Sequence, residues 1–176
     1  TGAYSFNMSG AEIPRGKAFA STTQVRANLF LNHGGVSGAG STSNAIIYLL
    51  TGTYDILVQW ASDSSTIEIV VNGTVQASIS TASSGMATTN TWYSLGINVK
   101  ADATTGWVSF YVDGVQKLTW TGNTGSAITG VYFYGRNTAT TWVGQAYFDD
   151  FCVDDTVGEA DAAPPSPRWD PQAING

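Results

Sequence analysis

Charge is scarce in this chain. Asp, Glu, Lys and Arg make up 11% of its 176 residues, against about 25% in an ordinary soluble domain. The seven basic residues, Arg15, Lys17, Arg26, Lys100, Lys117, Arg136 and Arg168, form no local run, and the formal net charge is −6. Phosphate backbones and anionic lipid surfaces attract basic patches, so this balance argues against nucleic acid as a partner. No apolar run approaches the length of a membrane span, and no charged-then-apolar leader opens the sequence, so no membrane insertion is expected. The Thr1-Gly2 start and the Asn175-Gly176 end are expected to reflect processing or excision from a longer polypeptide.

Cysteine and histidine are each present once. Cys152 cannot form an intramolecular disulfide, and its place in an alternating apolar segment predicts a packing role. A single His33 excludes a His-rich metal centre. Next to the glycine-rich run 34–42 it reads as a surface-loop residue, and no nucleophile elbow accompanies it for a serine triad.

What is present is β-strand material: 43% apolar and 12% aromatic residues, with Ser and Thr where charge would otherwise stand. Thr suits the outer face of a strand because it is β-branched and its hydroxyl can satisfy nearby backbone groups. Two segments, Thr66 to Ala77 and Trp107 to Trp120, each join β-rich runs through Asn72-Gly73 or Asp113-Gly114, dipeptides whose residues accept positive φ, and both read as hairpins. In the second, a two-residue turn places Val112 opposite Val115, Phe110 opposite Lys117 and Trp107 opposite Trp120. Tyr54, Ile56, Val58 and Trp60 alternate with Asp55, Leu57 and Gln59, giving one core face.

About eleven strands are expected: 4–8, 17–31, 45–50, 54–61, 66–71, 74–79, 92–100, 107–112, 115–120, 128–134 and 146–153. No window sustains helical periodicity, so helix is expected to be minimal. The fold class is all-β, a two-sheet antiparallel β-sandwich spanning residues 1–155. Residues 156–176 are acidic and proline-rich and read as an extended C-terminal linker or arm.

Three segments in order, Thr91-Trp92-Tyr93-Ser94-Leu95, then Phe110-Tyr111-Val112-Asp113-Gly114, then Ala146 to Asp155, resemble the concanavalin A-like, laminin-G-like jelly-roll domains. The resemblance is closest to those of bacteriophage tail, fibre or decoration proteins, and it covers most of residues 4–155. It implies a jelly-roll sandwich on an extracellular or virion surface. It leaves several functions open, because such domains serve as lectins, calcium-dependent binders, glycosidases and inert structural modules.

Glycosidases of that superfamily carry a Glu-x-Asp-x-x-Glu string, which is missing here. Asp63 and Glu68 are the nearest carboxylates and read as solvated, and Glu12 and Glu159 lie near the two ends of the domain, so no catalytic residues are assigned. Asp149, Asp150, Asp154 and Asp155 are weak calcium candidates, since strand alternation sends Asp149 and Asp150 to opposite faces unless a bulge intervenes. No other cofactor is implied. For glycan contact the best local set is Tyr134, Arg136, Asn137 and Trp142, an aromatic, guanidinium and amide group around a late loop. Trp60, Trp92, Trp107 and Trp120 are assigned to packing. The glycosylation triplets at Asn7 and Asn72 are treated as coincidence.

Three readings follow: a non-enzymatic structural or adhesion module contacting neighbouring protein subunits, a lectin-like module binding cell-surface glycan, and a glycosidase.

Overall fold

The computed structural model describes residues 6–7, 15–34, 44–52, 54–62, 65–136 and 146–154. Twelve strands arise from them: β1 (Phe6–Asn7), β2 (Arg15–Thr22), β3 (Gln24–His33), β4 (Asn44–Thr51), β5 (Tyr54–Trp60), β6 (Thr66–Val71), β7 (Thr74–Ser80), β8 (Trp92–Lys100), β9 (Gly106–Val112), β10 (Val115–Gly122), β11 (Ile128–Arg136) and β12 (Ala146–Asp154). They form two six-stranded antiparallel sheets. The first has the order β1-β12-β3-β8-β9-β10 and the second β2-β11-β4-β5-β6-β7.

The expected single strand 17–31 is two strands in different sheets. The break lies at Thr23, where the Thr22 hydroxyl donates to the Gln24 carbonyl at 3.1 Å and the Thr23 carbonyl accepts from the Ala101 amide at 2.8 Å. A short hydroxyl-bonded turn thus sends the chain across the sandwich without an interrupting glycine or proline.

Alternation builds the core between the sheets. Val25, Ala27, Leu29 and Leu31 of β3, with Leu95, Ile97 and Val99 of β8, are fully buried from one side. Ile56, Val58 and Trp60 of β5, with Ile67 and Ile69 of β6, meet them from the other. Trp60, Phe110 and Phe148 are the largest fully enclosed side chains. Burying a large apolar side chain contributes about 1.5–3 kcal/mol.

Both hairpins form as read. Asn72 and Gly73 have φ of 50° and 74°, and Asp113 and Gly114 have 51° and 76°, the paired positive values of a type I′ turn. Val112 pairs with Val115 as expected, but a bulge between Gln116 and Leu118 then shifts the register, so Phe110 faces Leu118 and Trp107 faces Thr121. A second bulge interrupts β6–β7 between Ile69 and Val70. β10 and β7 are the outermost strands at one side of their sheets.

A third bulge, between Asp149 and Cys152 in β12, has Asp150 at φ 47°. It reverses the alternation, so Phe151 and Val153 turn to the core and Cys152 is exposed. The packing role expected for Cys152 is therefore corrected.

Among the described residues the one helix, α1 (Thr81–Ser84), is a single turn carrying the chain from β7 to β8. Ser80 caps it by accepting from the Ser83 amide at 3.1 Å, and Gly85 ends it at φ 90°. Its successor Met86 is fully buried.

Candidate functional site

On the first sheet, residues alternating with the core strips face outward. Leu31 and His33 point inward, so Asn32 points out. Tyr93 and Leu95 point inward, so Trp92 and Ser94 point out, and inward Phe148 leaves Tyr147 outside. Asn32 pairs with Trp92 on one side and with Tyr147 on the other. Tyr147, Asn32 and Trp92 therefore form one row across β12, β3 and β8. Adjacent strands lie about 4.8 Å apart, so the two aromatic residues stand about 10 Å apart with an amide between them.

The row is open to solvent. Trp92 is 45% exposed, and Tyr147 and Asn32 are half-buried. Asn32 Oδ1 is enclosed and accepts no hydrogen bond. Half-buried Phe30 and Ser94 lie one step further along, with Phe30 paired to both Ser94 and Asp149.

Towards the middle of the same face the side chains occupy one another. Arg26, Asn98 and Ser109 follow in register across β3, β8 and β9 and are all buried. Ser109 Oγ lies 3.2 Å from Thr119 Oγ1, and the Tyr111 hydroxyl donates to Gln116 Oε1 at 3.1 Å. This region is a packed polar layer. The accessible chemistry is at the Trp92 end.

Beneath the row lies His33. It is not a surface-loop residue but the last residue of β3, and it is 4% exposed. Its Nε2 donates to the Met86 carbonyl at 2.9 Å, its ring stacks on Tyr93 at 5.8 Å, and Trp60 meets it edge-on at 5.4 Å. Burial lowers its pKa below 6.5, with the Met86 contact opposing in smaller measure. The imidazole is therefore neutral at physiological pH.

Of the glycan set read from sequence, Tyr134 and Arg136 fall on β11 in the second sheet, while Asn137 and Trp142 lie outside the described residues. Among the calcium candidates, Asp150 donates its amide to Asp149 Oδ1 at 2.9 Å, Asp154 is exposed, and Asp155 is outside the described residues. The bulge that alternation would require is present, yet no three His, Cys, Asp or Glu side chains gather to hold a metal among the described residues. Glu68 accepts from Gln59 Nε2 at 2.9 Å; Asp63, Glu12 and Glu159 lie outside the described residues.

Trp92, assigned to packing from the sequence, is instead exposed, and the sequence reading singles out neither Asn32 nor Tyr147. The signal for Trp92 is alternation: Tyr93, Leu95, Ile97 and Val99 fill the inward face, which leaves Trp92 outside. Of the tryptophans assigned to packing, Trp60 is in the core, Trp120 packs against it, and Trp107 is half-buried on the outer face.

No family model matches the chain, and no curated protein matches it in sequence. Solved structures do match in shape. A sialidase aligns at 8% identity and TM-score 0.55 over 87% of this chain and 15% of its own. The binding domain of botulinum neurotoxin serotype D aligns at 13% identity and TM-score 0.52, over 86% of this chain and 39% of that one. Alginate lyase vAL-1 from Chlorella virus aligns at 11% identity and TM-score 0.51, over 77% and 72%. The fold is a jelly-roll β-sandwich. The chain spans well under half the length of the first two, and at these identities the likeness shows the fold alone.

Proposed function

We propose that the jelly roll is a non-enzymatic attachment module that binds carbohydrate through the Tyr147, Asn32 and Trp92 row, on the surface of a virion or comparable extracellular assembly. The observation carrying this reading is the aromatic, amide, aromatic order on an accessible sheet face. Aromatic faces match the C–H faces of pyranose rings, and with Asn32 Oδ1 enclosed it is the amide N–H group that offers donors to sugar hydroxyls. A span of about 10 Å across the strands suits a chain of two or more sugars. A non-catalytic role is supported by the engagement of the acids: Glu68 holds Gln59, and Asp149 accepts from the Asp150 amide.

An array of neutral and acidic oligosaccharides tests the reading. Trp92→Ala is expected to weaken binding by roughly two- to tenfold, the worth of one aromatic contact, with a similar loss for Asn32→Ala. Unchanged binding in both variants would remove the row from the site, as would sustained hydrolysis of a bound polysaccharide from the non-enzymatic reading. Tyr134, Arg136, Asn137 and Trp142 are the second glycan set, and Trp142→Ala is its separate test.

A second reading concerns protein contact. On the outer face of the second sheet, Tyr132, Tyr48, Leu57, Val70 and Val75 follow in register across five strands. The Tyr48 and Tyr132 rings stand 6.4 Å apart, and Val75 is 49% exposed. Such a stripe suits a neighbouring subunit. Light scattering at rising concentration checks it: association that Leu57→Lys abolishes supports the contact, and a constant monomer mass removes it.

A further inference from the structure

We propose that His33 is a pH-sensitive catch, holding the Tyr147, Asn32 and Trp92 row in shape while its imidazole is neutral and loosening it on protonation. What is loosened rests on the carbohydrate reading, whereas the catch itself rests on packing alone.

The connection is one residue long at each point. Asn32 directly precedes His33 in the chain. Trp92 directly precedes Tyr93, on which the imidazole stacks at 5.8 Å and 18°. Tyr147 directly follows Ala146, the ladder partner of His33. The same histidine also fastens the segment leading into β8: Nε2 donates to the Met86 carbonyl at 2.9 Å, and the His33 carbonyl accepts from the Asn90 amide at 2.8 Å. Tyr93 in turn holds that segment, its hydroxyl donating to the Thr88 carbonyl at 2.8 Å and accepting from the Thr88 amide at 3.1 Å.

With Nε2 donating, Nδ1 of the neutral ring carries the lone pair, and it is enclosed without a hydrogen bond. A proton added there becomes a buried donor with no acceptor, on a charged ring cut off from water. Attraction between an imidazolium and the Tyr93 face offsets part of that cost, but burial dominates and lowers the pKa.

The surroundings offer the cation little help. β8 presents the Tyr93 ring, β5 the Trp60 edge, and the segment after α1 the Met86 carbonyl, so Tyr93 is the one titratable group among these contacts. The chain segments 35–43 and 137–145, which join the ends of β3 to β4 and of β11 to β12, contain no ionisable residue. Asp63 lies outside the described residues.

The sign follows from the direction of the shift. A histidine whose folded pKa lies below its unfolded value stabilises fully above the unfolded pKa of 6.5, and that stability is lost as pH falls below it towards the folded pKa. The upper edge of the window, at 6.5, lies above the range where ordinary carboxylates titrate.

His33 is the only histidine, so its imidazole resonances can be followed by NMR in the wild-type chain without ambiguity. The expected midpoint is below 6.5. A midpoint at or above 6.5 overturns the catch, with no variant required. Lowering the pH from about 7.5 to about 5 is expected to reduce the thermal midpoint of the wild type and, severalfold, its affinity for whichever array oligosaccharide it binds best. His33→Gln, whose amide can still donate to Met86, should flatten both trends. Identical pH trends in wild type and variant overturn the proposal, and so does affinity that stays constant while His33 titrates. If no oligosaccharide binds at any pH, the carbohydrate reading fails, while the NMR midpoint and thermal trend still decide the catch.

Discussion

Thr124 stands where a side chain on Gly106 would have to go. A Cβ at Gly106 would overlap Thr124 Oγ1 and come within 2.8 Å of the Lys100 carbonyl oxygen. Thr124 is fully buried; its hydroxyl donates to that carbonyl at 2.7 Å and accepts from the Asp102 amide at 3.0 Å. Gly106→Ala should therefore destabilise the fold by about 1–3 kcal/mol through overpacking, and Thr124→Val by about 1–3 kcal/mol through two orphaned backbone groups. The double variant Gly106→Ala with Thr124→Ala should cost less than the sum of its parts. Urea denaturation measures all of these, and a Gly106→Ala midpoint equal to wild type would contradict the collision.

Asp113 serves its hairpin twice. It takes φ 51°, which Asn and Asp tolerate better than other side chains, and its carboxylate accepts from the Ser94 amide at 2.9 Å while its own amide donates to the Ser94 carbonyl at 2.7 Å. Asp113→Ala should cost about 1–2 kcal/mol, and Asp113→Asn distinctly less. Equal losses in chemical denaturation would show that neither the left-handed turn nor the side-chain bond matters.

Acid titration should reveal Asp102. The Thr105 amide, with the amide and hydroxyl of Thr104, stabilises the ionised carboxylate and lowers its pKa from 3.8 to about 2. A depressed carboxylate contributes stability above its unfolded pKa, and that contribution disappears as pH falls from 3.8 towards 2. Asp102→Asn should lose pH dependence in that window while keeping the loss of stability that begins at 6.5 with His33. Carboxylate NMR showing an ordinary pKa for Asp102 would refute this.

Calcium should leave stability unchanged. Asp149, Asp150 and Asp154 do not converge, and Asp149 Oδ1 already accepts from the Asp150 amide. Equal thermal midpoints in millimolar calcium and in chelator are expected. A rise of several degrees with calcium that Asp150→Asn removes would instead establish a site there.

Much of the architecture is legible in the sequence because its signals are local. Asn72-Gly73 and Asp113-Gly114 specify their own turns, and Ile56, Val58 and Trp60 specify their own face. Bulges are less legible, because they depend on pairing partners: the extra residue at Lys117 displaces Phe110 and Trp107 by one position, and Asp150 turns Cys152 outward. The Tyr147, Asn32 and Trp92 row is illegible in the sequence for the same reason. Asn32, Trp92 and Tyr147 are far apart in the chain, and only the register of three strands aligns them. The glycine neighbours of His33 suggest a loop, whereas its burial depends on Tyr93, Trp60 and Met86 arriving from elsewhere.

The bulges beside β10 and β7 also bear on crowding. Each of those outermost strands departs from regular pairing, at Lys117 in one sheet and beside Val70 in the other. Kinked rims make poor templates for another strand. Copies of this domain brought close together would therefore meet broadside without zippering edge to edge into a continuous fibre, each keeping its own boundary.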